Sequence, residues 1–330
     1  MIKQILPNLY RIEVPLPQSP LRAVNSYVIR TQGQSLVIDT GQNREECMSV
    51  LSSGLKELDV DLKRTDFFIT HFHADHLGLV SSLATETSTI YFNQPDAAVI
   101  NKAVINPVAP WEEMSNFAGR NGFPEDELQR AIKNHPGRKY SPSVLLDFYF
   151  LREGNTISIG DYSFKCIETP GHTKGHICLY EPDKKLLVSG DHILIDITPN
   201  ISLWSDDENP LNEYLHSLDK VYNLDVALVL PGHRRTSKNH KERIQELKHH
   251  HQTRVNEILS ILEKRSPPKA DAYQVTSQMS WDVTYKSWDL FPPQQKWFAF
   301  GEAVAHLKYL EEKGEIRREI EGRKVVFSLK

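Results

Sequence analysis

The residues best suited to chemistry lie together in Thr70-His71-Phe72-His73-Ala74-Asp75-His76-Leu77-Gly78. Four candidate metal ligands, His71, His73, Asp75 and His76, fall within six residues. Imidazole nitrogens and a carboxylate at this density, with no cysteine among them, suit zinc, with manganese and iron as alternatives. His71 and His73 stand two apart, which in extended backbone puts both rings on one face. Asp75 and His76 follow in the turn, where they can address a second centre. A polar loop that happens to be rich in histidine is the competing account. It suits a lone His-x-His better than four ligands at this spacing.

Such a cluster needs a rigid support and further ligands from other loops. Phe67-Phe68-Ile69, directly before it, reads as a buried strand, so the histidines begin where a strand ends. The same arrangement recurs downstream. Residues 162–167 run into Glu168-Thr169-Pro170-Gly171-His172-Thr173-Lys174-Gly175-His176. Leu187-Val188-Ser189 runs into Gly190-Asp191-His192, and residues 226–230 run into Pro231-Gly232-His233. Residues 35–38 form one more strand, ending in Asp39-Thr40-Gly41. Asp39 is a candidate support for a metal-bound histidine, whose second ring N–H commonly goes to a carboxylate.

His-x-His-x-Asp-His, Gly-His, Gly-Asp and Gly-His, in that order, resemble the motifs of the metallo-β-lactamase superfamily, and the resemblance covers residues 1–236. It implies an α/β fold, the αββα sandwich. It also implies two divalent metal ions, foremost Zn2+. His71, His73 and His172 would hold one ion, Asp75, His76 and His233 the other, and Asp191 would bridge them. Asp75 would also orient the nucleophile, a hydroxide shared by the two ions. His176 and His192 fall beside ligand positions but off the pattern, which makes them supporting or surface groups. Aspartate rather than cysteine at 191 departs from one β-lactamase subclass. Histidine rather than glutamate at 73 departs from the flavo-diiron oxygen reductases. Among the hydrolases, the glyoxalase-like group acting on thioesters, esters or lactones fits best, although the basic residues that hold glutathione in its best-known members are not identifiable. The alternative is a metal-dependent RNA or phosphodiester nuclease. A sensor or binding protein on the same scaffold is disfavoured, since no ligand position is missing.

The rest of the chain sets the context. Its 330 residues suit about two domains. With 39 basic and 43 acidic residues, no overall field favours nucleic acid. Cys47, Cys166 and Cys178 are odd in number and widely spread, which points to reduced thiols and a cytoplasmic setting. The N-terminal stretch lacks the apolar core of a signal peptide, and no run approaches membrane length. A small-molecule substrate is expected, with no membrane partner and with a homodimer left open.

Residues 9–14 and 25–29 read as further strands, and 43–55 and 78–83 as helices. A helical insertion is expected at about 93–143, with a helix over 124–133. Trp111, Met114 and Phe117 are spaced for one helix face; they either pack the insertion onto the body or line a pocket at the mouth. A helix follows Asn209-Pro210, and residues 237–265 read as a long connecting helix. On it His249, His250 and His251 diverge by about 100° per residue and cannot converge on one ion, so they read as helix surface. After Ser266-Pro267-Pro268, residues 266–330 read as a small α+β domain resembling a winged helix, with a helix over 301–312 and a hairpin over 315–329. Arg317, Arg318, Arg323 and Lys324 could meet phosphates, but interleaved glutamates dilute the patch, and a structural role is favoured.

Overall fold

The computed structural model describes residues 2–283 and 285–330; Met1, the first residue of the N-terminal stretch considered above, lies outside the described residues. Four antiparallel strands come first: β1 (Ile2–Leu6), β2 (Leu9–Pro15), β3 (Ala23–Arg30) and β4 (Ser35–Ile38). Then α1 (Glu45–Glu57), β5 (Thr65–Phe68), the single-turn helices α2 (Ala74–Leu77) and α3 (Val80–Leu83), and β6 (Ile90–Asn93) follow. The insertion contributes α4 (Gln94–Ile105), α5 (Ala109–Arg120), α6 (Glu125–Asn134) and α7 (Pro136–Tyr140) before β7 (Tyr149–Leu151). A second sheet takes β8 (Thr156–Ile159), β9 (Tyr162–Glu168), β10 (Ile177–Glu181), β11 (Leu186–Gly190) and, after α8 (Pro210–Tyr222), β12 (Leu228–Pro231). The chain ends with α9 (His240–Glu263), α10 (Ala272–Thr276), α11 (Pro293–Lys313) and the hairpin β13 (Ile316–Glu321) and β14 (Lys324–Leu329).

Alternation along the strands builds the layers. In the first sheet, Val28, Val37 and Phe67 pack against Cys47, Leu51 and Leu55 of α1. Their neighbours Tyr27, Ile29, Leu36, Ile38 and Phe68 point the other way, onto Phe164, Cys166, Leu179 and Val188 of the second sheet. Side chains on both faces mean that these strands read as continuous apolar runs. The outer face of the second sheet, Cys178, Leu187 and Val229, is covered by Leu211 and Leu218 of α8 and by Ile244 and Leu247 of α9. The result is helix, sheet, sheet, helix, as the sequence implies. Burial of each Phe or Leu in these layers contributes ~2 kcal/mol.

Strand direction positions the site. β4 through β7 run parallel, as do β11 and β12. The turns that follow β4, β5, β9, β11 and β12 carry Asp39, residues 70–78, His172, Asp191 and His233.

A separate apolar core joins the insertion to the end of the chain. Phe117, Phe123, Leu128 and Ile132 pack with Val255 and Ile258 of α9, with Trp297 and Phe300 of α11, and with Phe327 of β14. Trp111 and Met114 are half-buried against the same core, so the stripe on α5 faces the C-terminal α+β segment. The helix expected to begin at Gly301 starts at Pro293 instead, because proline in a first helical turn forfeits no hydrogen bond. It stops at Gly314, whose φ of 74° is the left-handed cap that glycine adopts without strain.

Contrary to what its sequence implies, the histidine triplet on α9 is not all helix surface. His249 is exposed and His250 half-buried, but His251 is 1 % exposed, packed between α8 and α11. The divergence that keeps the three from sharing an ion also sends one of them into the core. All three cysteines are unpaired and buried, and among the described residues no helix is long and apolar enough to cross a membrane.

Candidate metal centre

All seven side chains expected at the site come together at the strand ends. His71 Nε2 lies 3.0 Å from His73 Nδ1, and His172 Nε2 lies 2.9 Å from that same Nδ1. The outer nitrogens fix the tautomers of two of these rings. His172 Nδ1 donates to the Asn200 carbonyl at 2.8 Å, and His71 Nδ1 is 3.0 Å from Thr70 Oγ1, which itself donates to Asp39 at 2.9 Å. The Nε2 atoms of His71 and His172 therefore keep lone pairs, aimed with His73 Nδ1 at one point. Lone pairs so crowded repel unless a cation sits among them.

A second convergence adjoins the first. His233 Nε2 is 3.4 Å from both Asp75 Oδ2 and Asp191 Oδ2, and His76 Nε2 is 3.5 Å from Asp191 Oδ1. Again the far nitrogens are engaged, His76 Nδ1 with Asp39 Oδ2 and His233 Nδ1 with the Ala23 carbonyl, both at 2.7 Å. His76 Nε2, His233 Nε2 and Asp191 Oδ1 are buried with no hydrogen-bond partner. Buried polar atoms are rarely left so, and each unmet one costs ~1–3 kcal/mol. Asp191 lies between the groups, with its Oδ2 3.7 Å from His172 Nε2. These donors fit two adjacent divalent cations: imidazole and carboxylate, the second ring nitrogens already spoken for.

Burial and mutual repulsion act on the first trio. Burial drives His71 far below the ordinary imidazole value, aided by His76 and His73, and brings His73 to about 3 with help from His172. Burial also lowers His172. All three are neutral at pH 7, ready to ligate. In the second trio burial pulls His233 and His76 down, but their carboxylate neighbours outweigh it and the net shift is upward. Burial pushes Asp191 up, and His233 and His76 more than reverse it, so that the carboxylate is ionised. Asp75 behaves likewise, through His76 and His233.

The backbone is shaped to this end. Asp39 holds a left-handed φ of 58°, which aspartate tolerates better than most residues, and its Oδ1 accepts from the Thr70 amide at 2.9 Å. Gly232 admits no side chain: a Cβ there would collide with Asp191 Oδ1 and lie 2.7 Å from His76 Cε1.

His176 and His192 are both fully buried, so neither is a surface group. His176 Nε2 accepts from the Asp191 amide at 3.2 Å, and its Nδ1 meets Thr169 Oγ1 at 2.8 Å. His192 packs against Tyr214. Asp96 joins this site although nothing in its sequence neighbourhood marks it. It accepts from the Phe72 amide at 3.0 Å, Thr173 Oγ1 at 2.8 Å and the Gly175 amide at 2.6 Å, clamping the loop of His71 and His73 to that of His172. Burial raises its carboxyl to about 6 against those three hydrogen bonds. In sequence it looks like an ordinary acid in a helix's first turn.

Comparison with known proteins places the chain in a family. Residues 19–233 match the family described as the metallo-beta-lactamase superfamily, and residues 289–327 match its metallo-beta-lactamase-like C-terminal domain. A probable metallo-hydrolase of Bacillus subtilis (strain 168) is 26% identical over 328 residues, covering 96% of each chain. An atrochrysone carboxyl ACP thioesterase of Emericella nidulans is 24% identical over 232 residues, covering 70% of this chain and 57% of that protein. The crystal structure of a metallo-beta-lactamase family protein from Thermus thermophilus superposes with a TM-score of 0.83 at 27% identity, covering 99% of this chain and all of that one. With the family matched across most of the chain and the ligand loops in its order, this protein belongs to the metallo-beta-lactamase superfamily, as a metal-dependent hydrolase.

Proposed function

We propose that the enzyme hydrolyses a thioester, ester or lactone at a centre of two divalent ions, Zn2+ foremost, held by His71, His73 and His172 on one side and Asp75, His76 and His233 on the other, with Asp191 shared. The observation that carries the two-ion reading is the set of buried, partnerless atoms His76 Nε2, His233 Nε2 and Asp191 Oδ1, beside the converging trio. Bound there, the two ions would supply Lewis-acid polarisation of an acyl oxygen and a water of pKa lowered towards ~7. The chain supplies the rest. Asp191, ionised and offering two oxygens, addresses both groups of histidines. Asp75, held ionised beside His233, accepts a hydrogen bond from the attacking water and so aims its lone pair at the carbonyl carbon. Asp39 and the Ala23 and Asn200 carbonyls keep His76, His233 and His172 in the ligating tautomer.

Two facts support an acyl substrate over a nucleic acid. A relative over 70% of this chain is named as a thioesterase. Two of the hairpin's basic residues are already paired, Arg318 with Asp206 at 2.8 Å and Lys324 with Asp271 at 3.8 Å. The test is metal content together with hydrolysis of a thioester, an aryl ester, a lactone, a phosphodiester and a short RNA. Two ions per chain and turnover confined to the acyl compounds are expected. Turnover of RNA alone, steeply salt-dependent, would overturn the proposal.

A further inference from the structure

The ligand loops all follow strands of the sandwich, yet one ligand is braced from the far end of the chain. His172 Nδ1 donates to the carbonyl of Asn200. The side chain of Asn200 is in turn fixed by α11: its Nδ2 lies 3.3 Å from the Phe298 carbonyl and 3.3 Å from Glu302 Oε2. An amide nitrogen has two protons to give, and here both have acceptors one helical turn apart. Ser202 Oγ donates to Asn200 Oδ1, which occupies the other end of the amide.

The contact between this segment and α11 is close and specific. Leu203 donates its amide to the Gly301 carbonyl at 3.1 Å, and the Trp204 ring stacks on Trp297 at 3.9 Å. A Cβ at Gly301 would lie 2.7 Å from both Ser202 Oγ and Trp204 Cζ2. Glycine inside a helix costs ~1 kcal/mol relative to alanine, and at this position it makes room for residues 200–204. Glu302 is 8 % exposed, and its other oxygen faces His250 Nε2 at 3.6 Å and Arg254 Nε at 3.9 Å, so the anchor is itself held by α9.

We propose that Asn200 and Glu302 are positioning residues of the metal centre: α11 fixes Asn200, and the Asn200 carbonyl fixes the tautomer and orientation of His172. The C-terminal segment is thereby part of the site rather than an appendage. This inference rests on the metal reading above. Losing a partner of this kind typically weakens metal binding about 10–100-fold.

The test uses the full-length protein loaded with Zn2+ or Co2+. Asn200→Ala keeps the backbone carbonyl but loses the anchor. In competition with a chelator it should release one ion about 10–100-fold more readily, leave the other unchanged, and alter the visible Co2+ spectrum. Glu302→Gln retains an acceptor for Asn200 and should restore near-wild-type affinity, whereas Glu302→Ala should behave like Asn200→Ala. Wild-type retention of both ions by folded Asn200→Ala would overturn the proposal. So would equal weakening of both ions alongside a general loss of thermal stability, the signature of mere loosening. A wild-type protein that binds no divalent ion would instead defeat the metal reading itself.

Discussion

Two groups of buried histidines sit in this protein, and they differ in what their lone pairs face. At the strand ends, His71, His73, His172, His76 and His233 arrive from separate loops and turn ligating nitrogens towards common points. Between α9 and α11, His251 and His306 face each other instead. His306 Nδ1 donates to the Glu302 carbonyl at 2.7 Å, leaving its Nε2 to accept from His251 Nδ1 at 3.0 Å. That pair shares one proton and uses a backbone carbonyl, so that His251 Nε2 alone of its four nitrogens has no partner and none of them points at a common centre. Burial and neighbouring histidines are common to both groups. Convergence of ring nitrogens from separate loops on shared points, with Asp75 and Asp191 among them, belongs to one alone, and it marks the metal centre.

The largest effect that could break this contrast is expected from Asp191→Ala. Loss of the shared carboxylate should cut kcat/KM by about 10³-fold or more and lower the metal content, measured together on purified protein. An unchanged rate would sink the two-ion mechanism. Replacing His306 with leucine should leave the metal content and the rate within about twofold.

Chelation should separate the groups next. A ligand bound only by the folded state stabilises by ~3–4 kcal/mol at 100–1,000 times its dissociation constant, so stripping divalent ions should lower the Tm of the wild type clearly. The same drop is expected in His306→Leu. A Tm indifferent to chelator in both would remove the reason for treating the strand-end cluster as special.

Acid probes the second group directly. Burial, then the neighbouring His306, holds His251 far below 6.5, and burial lowers His306 despite Glu302. A histidine whose folded value is depressed contributes stability that is present above its unfolded value, near 6.5, and is lost as pH falls towards the folded value. Between pH 6.5 and 5.5 His251 should forfeit up to about 1 kcal/mol, and His306 should add to the loss in the same direction. Denaturant titrations at the two pH values should therefore show a shallower acid dependence in His251→Phe/His306→Leu than in the wild type, and parallel curves would contradict the assignment. The smallest effect is reserved for His249→Ala: the ring is exposed, and its loss should move stability by no more than about 0.5 kcal/mol.

How much of this was legible in the sequence follows the range of the interactions. His71, His73, Asp75 and His76 announce themselves because their spacing is local, and the strand-end glycines and aspartates downstream repeat the pattern. The layered fold follows from apolar runs with polar turns. Long-range partnerships leave no such trace. Asp96 reads as a helix-start acid because its three donors lie at 72, 173 and 175. His251 reads as surface because the histidine that receives it is 55 residues away. Trp111, Met114 and Phe117 declare a helix face without saying what it meets.

What that face meets has a consequence for how the molecule opens. Phe117, Phe123, Leu128 and Ile132 share one core with Trp297, Phe300 and Phe327, although some 160 residues, the whole second sheet among them, lie between them in the chain. Neither partner can detach without exposing the other's aromatic rings to water, so the two should unfold as a single cooperative block, separate from the sandwich. In amide hydrogen exchange, α6 and α11 should lose protection together, at one free energy, despite their distance in sequence. For the same reason, a fragment that keeps the insertion but ends before α11 would carry an uncovered apolar patch, and its fate in solution would be aggregation.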